Sequence, residues 1–133
     1  ACEFYTQLME RQDGATWKEL NIAVQQIMND YCGIINPRSE SMLSAGLNNL
    51  ELLGKRARGS VYCTNSHELM RALEAFDLLE MGKLIITVCR ERRESRGMHK
   101  RSDYTFTNPL LNNMFMTVKN VNDKPQVSWR KKK

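Results

Sequence analysis

The sequence lacks the motifs that would mark a self-contained enzyme. It contains no G-x-G-x-x-G, no phosphate-binding loop and no C-x-x-C pair. Its two histidines and four cysteines show no metal-ligand spacing, and no nucleophile, base and orienting group can be assigned together. We therefore expect no catalytic, cofactor-binding or metal-binding residue in this chain.

Long apolar runs are missing as well. No stretch approaches the ~20 apolar residues that a membrane-spanning helix needs, so we expect no membrane span. The N-terminal segment ACEFYTQLMERQ is polar and charged, unlike a signal peptide, and it does not begin with methionine. We expect the chain to be a fragment of a longer polypeptide.

Glycine and proline are scarce, at 7 and 3 of 133 residues, and the four cysteines are widely spaced. Together with long helical patterns, this composition favours a cytoplasmic protein with reduced thiols, and disulfides among the four cysteines stay open as an alternative. A chain of this length fits one domain. Its hydrophobic content of 41% and charged content of 26% are those of an ordinary globular protein.

Positive charge is concentrated in two short segments. Residues 90–101 carry six cations and two acids, and residues 130–133 are all cationic. The formal net charge is only +5, so the remainder of the chain is net acidic. Electrostatic binding of nucleic acid usually needs a broad basic face. A nucleic-acid-binding module is therefore a weaker alternative, which requires both segments to converge on one face.

Apolar periodicity predicts two helices in the first half of the chain. The first follows a T-x-x-E capping box that starts at Thr16, and it ends near Gly33. The second begins near Ser39 and runs to about Arg56. Gly46 on this helix leaves two interpretations open: it allows close helix packing, or it only weakens the helix by ~1 kcal/mol.

A third and longest helix is predicted after a polar connector at residues 55–64. Asn65 offers its N-terminal cap, an apolar face continues to Val88, and Gly97 is a natural terminator. Cys89, within the apolar run LIITVC, is predicted to belong to the core.

Beyond the third helix the hydrophobic period changes. Residues 114–121, MFMTVKNV, predict a strand, NDKP predicts a turn, and QVSW predicts the returning strand. The predicted fold class is mainly α. An antiparallel three-helix bundle (spectrin-repeat-like, residues 16–97) precedes an extended segment and a short C-terminal β-hairpin (residues 98–133), all within one domain, residues 1–133.

Residues 92–104, RRESRGMHKRSDY, resemble the E-S-R-G-x-H-x-R-x-D-Y segment of a flavoprotein superfamily. Its members include the flavoprotein subunits of succinate dehydrogenase and fumarate reductase, and L-aspartate oxidase. The matching residues are Glu94, Ser95, Arg96, Gly97, His99, Arg101, Asp103 and Tyr104. The stretches IMNDYCG and HELMRALEAFDLLEMG are similar to the alpha subunit of adenylylsulfate reductase, and VNDKPQVSWR resembles the superfamily's C-terminal hairpin.

The resemblance implies a C-terminal helical packing and docking domain of a flavin-dependent oxidoreductase. It implies FAD as the cofactor of the parent protein and an upstream FAD-binding domain of the same chain as a partner. It also implies an iron–sulfur subunit as a second partner. The expected localisation is cytoplasmic, with the inner face of a membrane as an alternative that is reached through a partner subunit.

Residues 92–104, which we call the charged segment, are predicted to form a structural clamp. Arginine and carboxylate side chains form bidentate pairs that fix a chain segment at an interface. The predicted clamp residues are Glu94, Arg96, His99, Arg101 and Asp103. They would hold the tail to the bundle and to the flavin domain. The docking function predicts an exposed apolar patch of several hundred Å², whereas the alternative, a stand-alone helical interaction module, does not.

Overall fold

The computed structural model describes residues 1–133, and it confirms a mainly helical fold with a C-terminal hairpin. The elements, in chain order, are α1 (Cys2–Glu10), α2 (Trp17–Cys32), α3 (Glu40–Ser60), α4 (Ser66–Glu91), a 3-10 turn (Pro109–Leu111), β1 (Met114–Val121) and β2 (Lys124–Lys131). Helices α2, α3 and α4 all pack against one another, and α1 packs on α4. None of the helices combines the length and apolarity that crossing a bilayer requires.

The predicted starts of the three long helices are confirmed, because each one has a side-chain cap. Thr16 Oγ1 accepts a hydrogen bond from the Glu19 backbone N–H, and the Glu19 carboxylate accepts one from the Thr16 N–H at 2.9 Å. The side chains of Ser39 and Asn65 likewise accept from N–H groups three residues later. These bonds satisfy donors that have no partner inside a helix.

The predicted polar connector over residues 55–64 is wrong. Helix α3 continues to Ser60. The residues that follow include Val61 and Cys63, whose exposed fractions are 0% and 1%. The cationic side chains at the end of α3 suggested a polar loop, but the backbone remains helical and the next apolar side chains join the core.

Helix α1, which the sequence analysis did not predict, covers this region. Leu8 is its only buried residue, and the Leu8 carbonyl accepts a hydrogen bond from the Cys63 N–H at 2.9 Å. Just beyond α1, the Arg11 guanidinium donates to the carbonyls of Arg58 and Val61 at 2.8 and 2.7 Å. The carbonyls at the end of α3 therefore find partners outside their own helix.

Gly97 does not terminate α4, which ends well before it, at Glu91. Gly97 instead has φ +56° and lies in a tight turn. On either side of that turn, Arg96 and His99 exchange backbone hydrogen bonds of 2.8 and 2.9 Å. A left-handed conformation suits glycine, so this residue serves the turn that follows the helix.

The hairpin pairs β1 and β2 antiparallel, from Met114 opposite Lys131 to Val121 opposite Lys124. Asn122 and Asp123 both have positive φ, as a two-residue type I′ turn requires. The turn is thus shorter than the predicted NDKP, since the last two of those residues pair in β2. The hairpin rests on the bundle through β2 and α4.

Helices α2 and α3 come close together at Gly46, which settles the two interpretations of that residue. A Cβ atom placed there would lie 2.6 Å from Tyr31 Cβ on α2 and 3.3 Å from Ile86 Cδ1 on α4. Gly46 is buried. The absence of a side chain therefore permits the close packing of the three helices.

We expect Gly46→Ala to lower the free energy of unfolding by about 1–3 kcal/mol, because the added methyl group overpacks a rigid contact. The matched control is Gly59→Ala on the same helix, where an added Cβ meets no atom within 4 Å. There the gain in helix propensity should raise stability by about 0.5–1 kcal/mol. Denaturant unfolding measures both. Equal effects of the two substitutions would contradict the packing role.

Candidate functional site

The predicted clamp is built around a carboxylate that is completely buried. Glu94 is 0% exposed, and its Oε2 accepts a hydrogen bond from the backbone N–H of Asn108 at 2.8 Å. Arg96 donates to both carboxylate oxygens, at 3.0 and 3.2 Å, and Arg92 pairs with Oε1. This carboxylate joins the residues after α4 to the tail near Asn108.

Arg96 extends the same connection. Its Nη2 also donates to the carbonyl of Asn108 and to Asn112 Oδ1, both at 2.9 Å. One guanidinium group therefore holds the start of the charged segment, the 3-10 turn and the entry to the hairpin. The planar fork of arginine suits this use, because it presents several donors in fixed directions.

Arg101 and Asp103 form the second half of the clamp. Arg101 is 2% exposed, and its Nε and Nη2 donate to the two oxygens of Asp103, each at 2.7 Å. Arg101 Nη1 donates to the carbonyls of Cys89 and Arg90 at 3.1 Å. These carbonyls end α4 and lack helical partners, so the cation caps that helix.

The ion pair of Arg101 and Asp103 also caps the N-terminus of α3, which lies beside the end of α4. Asp103 Oδ2 accepts a hydrogen bond at 2.9 Å from the backbone N–H of Glu40, the first residue of α3. The Glu40 carboxylate in turn accepts from Arg101 Nη2 at 3.2 Å. The cation thus lies at the C-terminus of α4 and the anion at the N-terminus of α3, where the helix dipoles favour each of them.

His99 connects the clamp to the loop between α2 and α3. Arg38 Nη1 lies 2.9 Å from His99 Nδ1, and the Arg92 carbonyl lies 3.0 Å from Nε2. Arginine only donates and a carbonyl only accepts, so the imidazole that satisfies both is neutral, with its proton on Nε2. Backbone hydrogen bonds of 2.8 Å tie Arg38 to Lys100 and Ser102 alongside.

Both clamp carboxylates are held in the ionised form. Burial alone raises the pKa of Glu94, but the hydrogen bonds from Arg96 and from the Asn108 N–H outweigh burial, and the net shift is downward. The bidentate bond from Arg101 holds the pKa of Asp103 far below its usual range. Each carboxylate therefore keeps its partner in acid solution.

The structure brings all five sequence-predicted residues to one end of the bundle. It adds Arg38, Glu40, Arg92 and Asn108, which sequence reasoning missed. No spacing rule identifies Arg38 or Glu40, because they lie about sixty positions upstream of their partners. Every buried polar side-chain atom has a hydrogen-bond partner, and no three metal-ligating side chains cluster.

The clamp also bears on the nucleic-acid alternative. Arg92 and Arg96 share the carboxylate of Glu94, and Arg101 is buried against Asp103. Cations that are occupied in this way do not form an open basic surface for phosphates. The arrangement instead holds chain segments together.

A three-helix bundle, a buried ionic clamp at one end and a C-terminal hairpin together define a helical packing domain. Residues 21–132 match the family model described as the fumarate reductase flavoprotein C-terminal region. The chain belongs to this family, as the motif of residues 92–104 predicted.

Individual relatives agree. L-aspartate oxidase of Vibrio cholerae is 31% identical over 88 residues, which cover 66% of this chain and 15% of that protein. The fumarate reductase flavoprotein subunit of Haemophilus influenzae is 26% identical over 102 residues, which cover 73% of this chain and 17% of that protein. Adenylylsulfate reductase of Archaeoglobus fulgidus shares the fold with TM-score 0.78 and 22% identity, over 97% of this chain and 22% of that one. The chain thus spans less than a quarter of these relatives.

We expect Glu94→Gln to lower the free energy of unfolding at pH 7 by about 1.5–3 kcal/mol, because it removes a buried negative charge that accepts hydrogen bonds from two partly buried arginines, Arg92 and Arg96. The matched control is Glu74→Gln. Glu74 pairs with Arg71 on the surface at 2.9 Å and is 53% exposed, so its loss should cost less than about 1 kcal/mol. Denaturant unfolding measures both.

The pH dependence of unfolding tests the same carboxylate. Because the folded-state pKa of Glu94 is below the ordinary value of 4.5, its contribution is full above that pH. The contribution is lost as the pH falls through the folded-state pKa. Glu94→Gln should therefore flatten the acid side of the stability curve. An unchanged acid slope would show that Glu94 does not stabilise the fold as an anion.

Proposed function

We propose that this chain is the C-terminal packing and docking domain of a flavin-dependent oxidoreductase. Residues 1–133 act as one domain, with the bundle at residues 16–97 and the tail at residues 98–133. FAD belongs to an upstream domain of the parent protein, and an iron–sulfur subunit is the second partner, in the cytoplasm. The family supports this proposal, since its model describes the C-terminal region of a flavoprotein and the matching flavoprotein subunit is far longer than this chain.

The observation that carries the docking role is the position of the most exposed apolar side chains. Five of the six most exposed large apolar residues lie at the clamp end, and we call them the apolar rim. They are Ile34, Ile35, Met98, Phe106 and Leu110. Ile35 is 90% exposed and Leu110 is 85% exposed. Exposed apolar surface of this kind is typical of a docking interface.

Backbone pairing brings the rim segments together. The loop that carries Ile34 and Ile35 leads into Arg38, which pairs with the segment just after Met98. The Phe106 carbonyl accepts a hydrogen bond from the Ser95 N–H at 2.9 Å. Leu110 lies in the 3-10 turn, which the Glu94 and Arg96 side chains hold.

In this proposal the clamp supports docking as well as the stability of the fold. It fixes three irregular segments that carry the rim, and ordering them before association lowers the entropy cost of docking. The clamp residues Glu94, Arg96, His99, Arg101 and Asp103 are positioning residues in this proposal. The proposed occupant of the rim is the flavin-binding domain, and the support for it is that the matching relatives are several times longer than this chain.

We expect Arg96→Ala in the full-length parent to loosen the docked domain more than it alters flavin chemistry. Limited proteolysis should cut the variant faster at the domain boundary, while the rate of chemical reduction of bound flavin stays close to that of the unmodified protein. Arg93→Ala is the control, since Arg93 is exposed and lies three positions before Arg96 in the sequence. Intact assembly with selectively lost turnover would contradict the structural role.

We expect Ile35→Lys in the full-length parent to weaken docking at least tenfold by the same proteolysis assay, because a charge would be buried at the interface. The control is Ile22→Lys, a 62% exposed isoleucine on α2 outside the rim. If Ile22→Lys disrupts assembly and Ile35→Lys does not, the flavin domain docks on a different face.

A further inference from the structure

Two of the four cysteines lie next to each other at the clamp end of the bundle. Cys32 is the last residue of α2, Cys89 lies near the end of α4, and their sulfur atoms are 3.8 Å apart. A disulfide needs an S–S distance of about 2.0 Å, so a shift of roughly 2 Å joins them. Cys32 is buried, whereas Cys89 is partly exposed.

The groups around the Cys89 sulfur favour a thiolate. Arg38 Nη1 lies 3.4 Å from Cys89 Sγ, and the same nitrogen contacts His99 Nδ1. The Cys32 thiol, at the end of α2, contacts the Cys89 sulfur. The Arg101 guanidinium, from the charged segment, donates a hydrogen bond to the Cys89 carbonyl. Every charged group in these contacts is a cation, and nearby cations activate cysteines.

We propose that Cys32 and Cys89 form an oxidisable dithiol site that reacts with hydroperoxides, with Cys89 as the attacking thiol and Cys32 as the resolving thiol. This inference does not rest on the proposed docking function, although the two sulfurs lie at the same end of the bundle as the rim. The site differs from the other two cysteines, since Cys2 is exposed and Cys63 is buried elsewhere in the core.

The chemistry balances with hydrogen peroxide as the oxidant. The Cys89 thiolate attacks one peroxide oxygen, the O–O bond breaks, and the leaving hydroxide takes a proton to become water, which leaves a sulfenic acid on Cys89. The Cys32 sulfur then attacks that sulfenic sulfur. The S–S bond forms, the S–O bond breaks, and a second water leaves with the Cys32 proton. Two thiols lose two electrons, and one peroxide is reduced to two waters.

The pKa values of the two thiols are shifted in opposite directions, and these directions suit Cys89 as the attacking thiol. The hydrogen bond from the Cys32 thiol lowers the pKa of Cys89 against the opposing cost of burial, and the positive charge of Arg38 adds to this lowering. The same hydrogen bond raises the pKa of Cys32, which therefore keeps its proton. Cys89 is accordingly the nucleophile at neutral pH.

The test uses the chain with Cys2→Ser, which removes the exposed thiol and leaves three. After treatment with a small molar excess of hydrogen peroxide, a thiol assay in denaturant should find one thiol. The mass should fall by two hydrogen atoms, and peptide mapping should link residues 32 and 89. The oxidised chain should unfold at a higher temperature, because the cross-link constrains the unfolded state.

Single variants separate the roles of the two sulfurs. In Cys32→Ser, Cys89 should stop at the sulfenic acid and react with dimedone, whereas in Cys89→Ser, Cys32 should remain reduced. At pH 6 the chain should react faster than free glutathione, since more of Cys89 is a thiolate. Three surviving thiols, or a link through Cys63, in a chain that circular dichroism shows to be folded would overturn the proposal.

Discussion

The ion pair of Arg101 and Asp103 is the interaction on which this end of the molecule depends. The guanidinium group satisfies carbonyls at the C-terminus of α4, and the carboxylate satisfies an N–H at the N-terminus of α3. One buried pair therefore completes two helix ends that belong to different parts of the chain. Without it, both helices would expose unpaired backbone groups where the charged segment must cross them.

A hydrophobic contact would not serve the same purpose here. Residues 92–104 contain almost no large apolar side chain, so burial alone offers little to fix their path. Buried ion pairs carry a large desolvation cost, and they are favourable only when every donor and acceptor is matched. Glu94 and Arg101 meet that condition, since no buried polar side-chain atom lacks a partner. The clamp thus specifies one conformation for a segment that hydrophobicity leaves undetermined.

The sequence correctly predicted the features that depend on residues close together in the chain, such as the starts of the helices. The capping box at Thr16 and the caps at Ser39 and Asn65 act over three residues, and all three helix starts are confirmed. The pairing of Arg101 with Asp103 is also local. Contacts between distant parts of the chain, such as that of Arg38 with His99, could not be predicted from the sequence. Helix α1 was also missed, because a single buried residue, Leu8, gives no hydrophobic periodicity.

The loop between α2 and α3 unites the features of this end. It begins directly after Cys32, presents Ile34 and Ile35 to solvent, and ends at Arg38, whose guanidinium touches both Cys89 and His99. A covalent bond between the two sulfurs would move Cys32, which lies two residues before Ile34 of the rim. It would also place an uncharged disulfide sulfur beside Arg38. Because packed segments shift as units, the proposed oxidation and the proposed docking would act on the same short stretch of backbone.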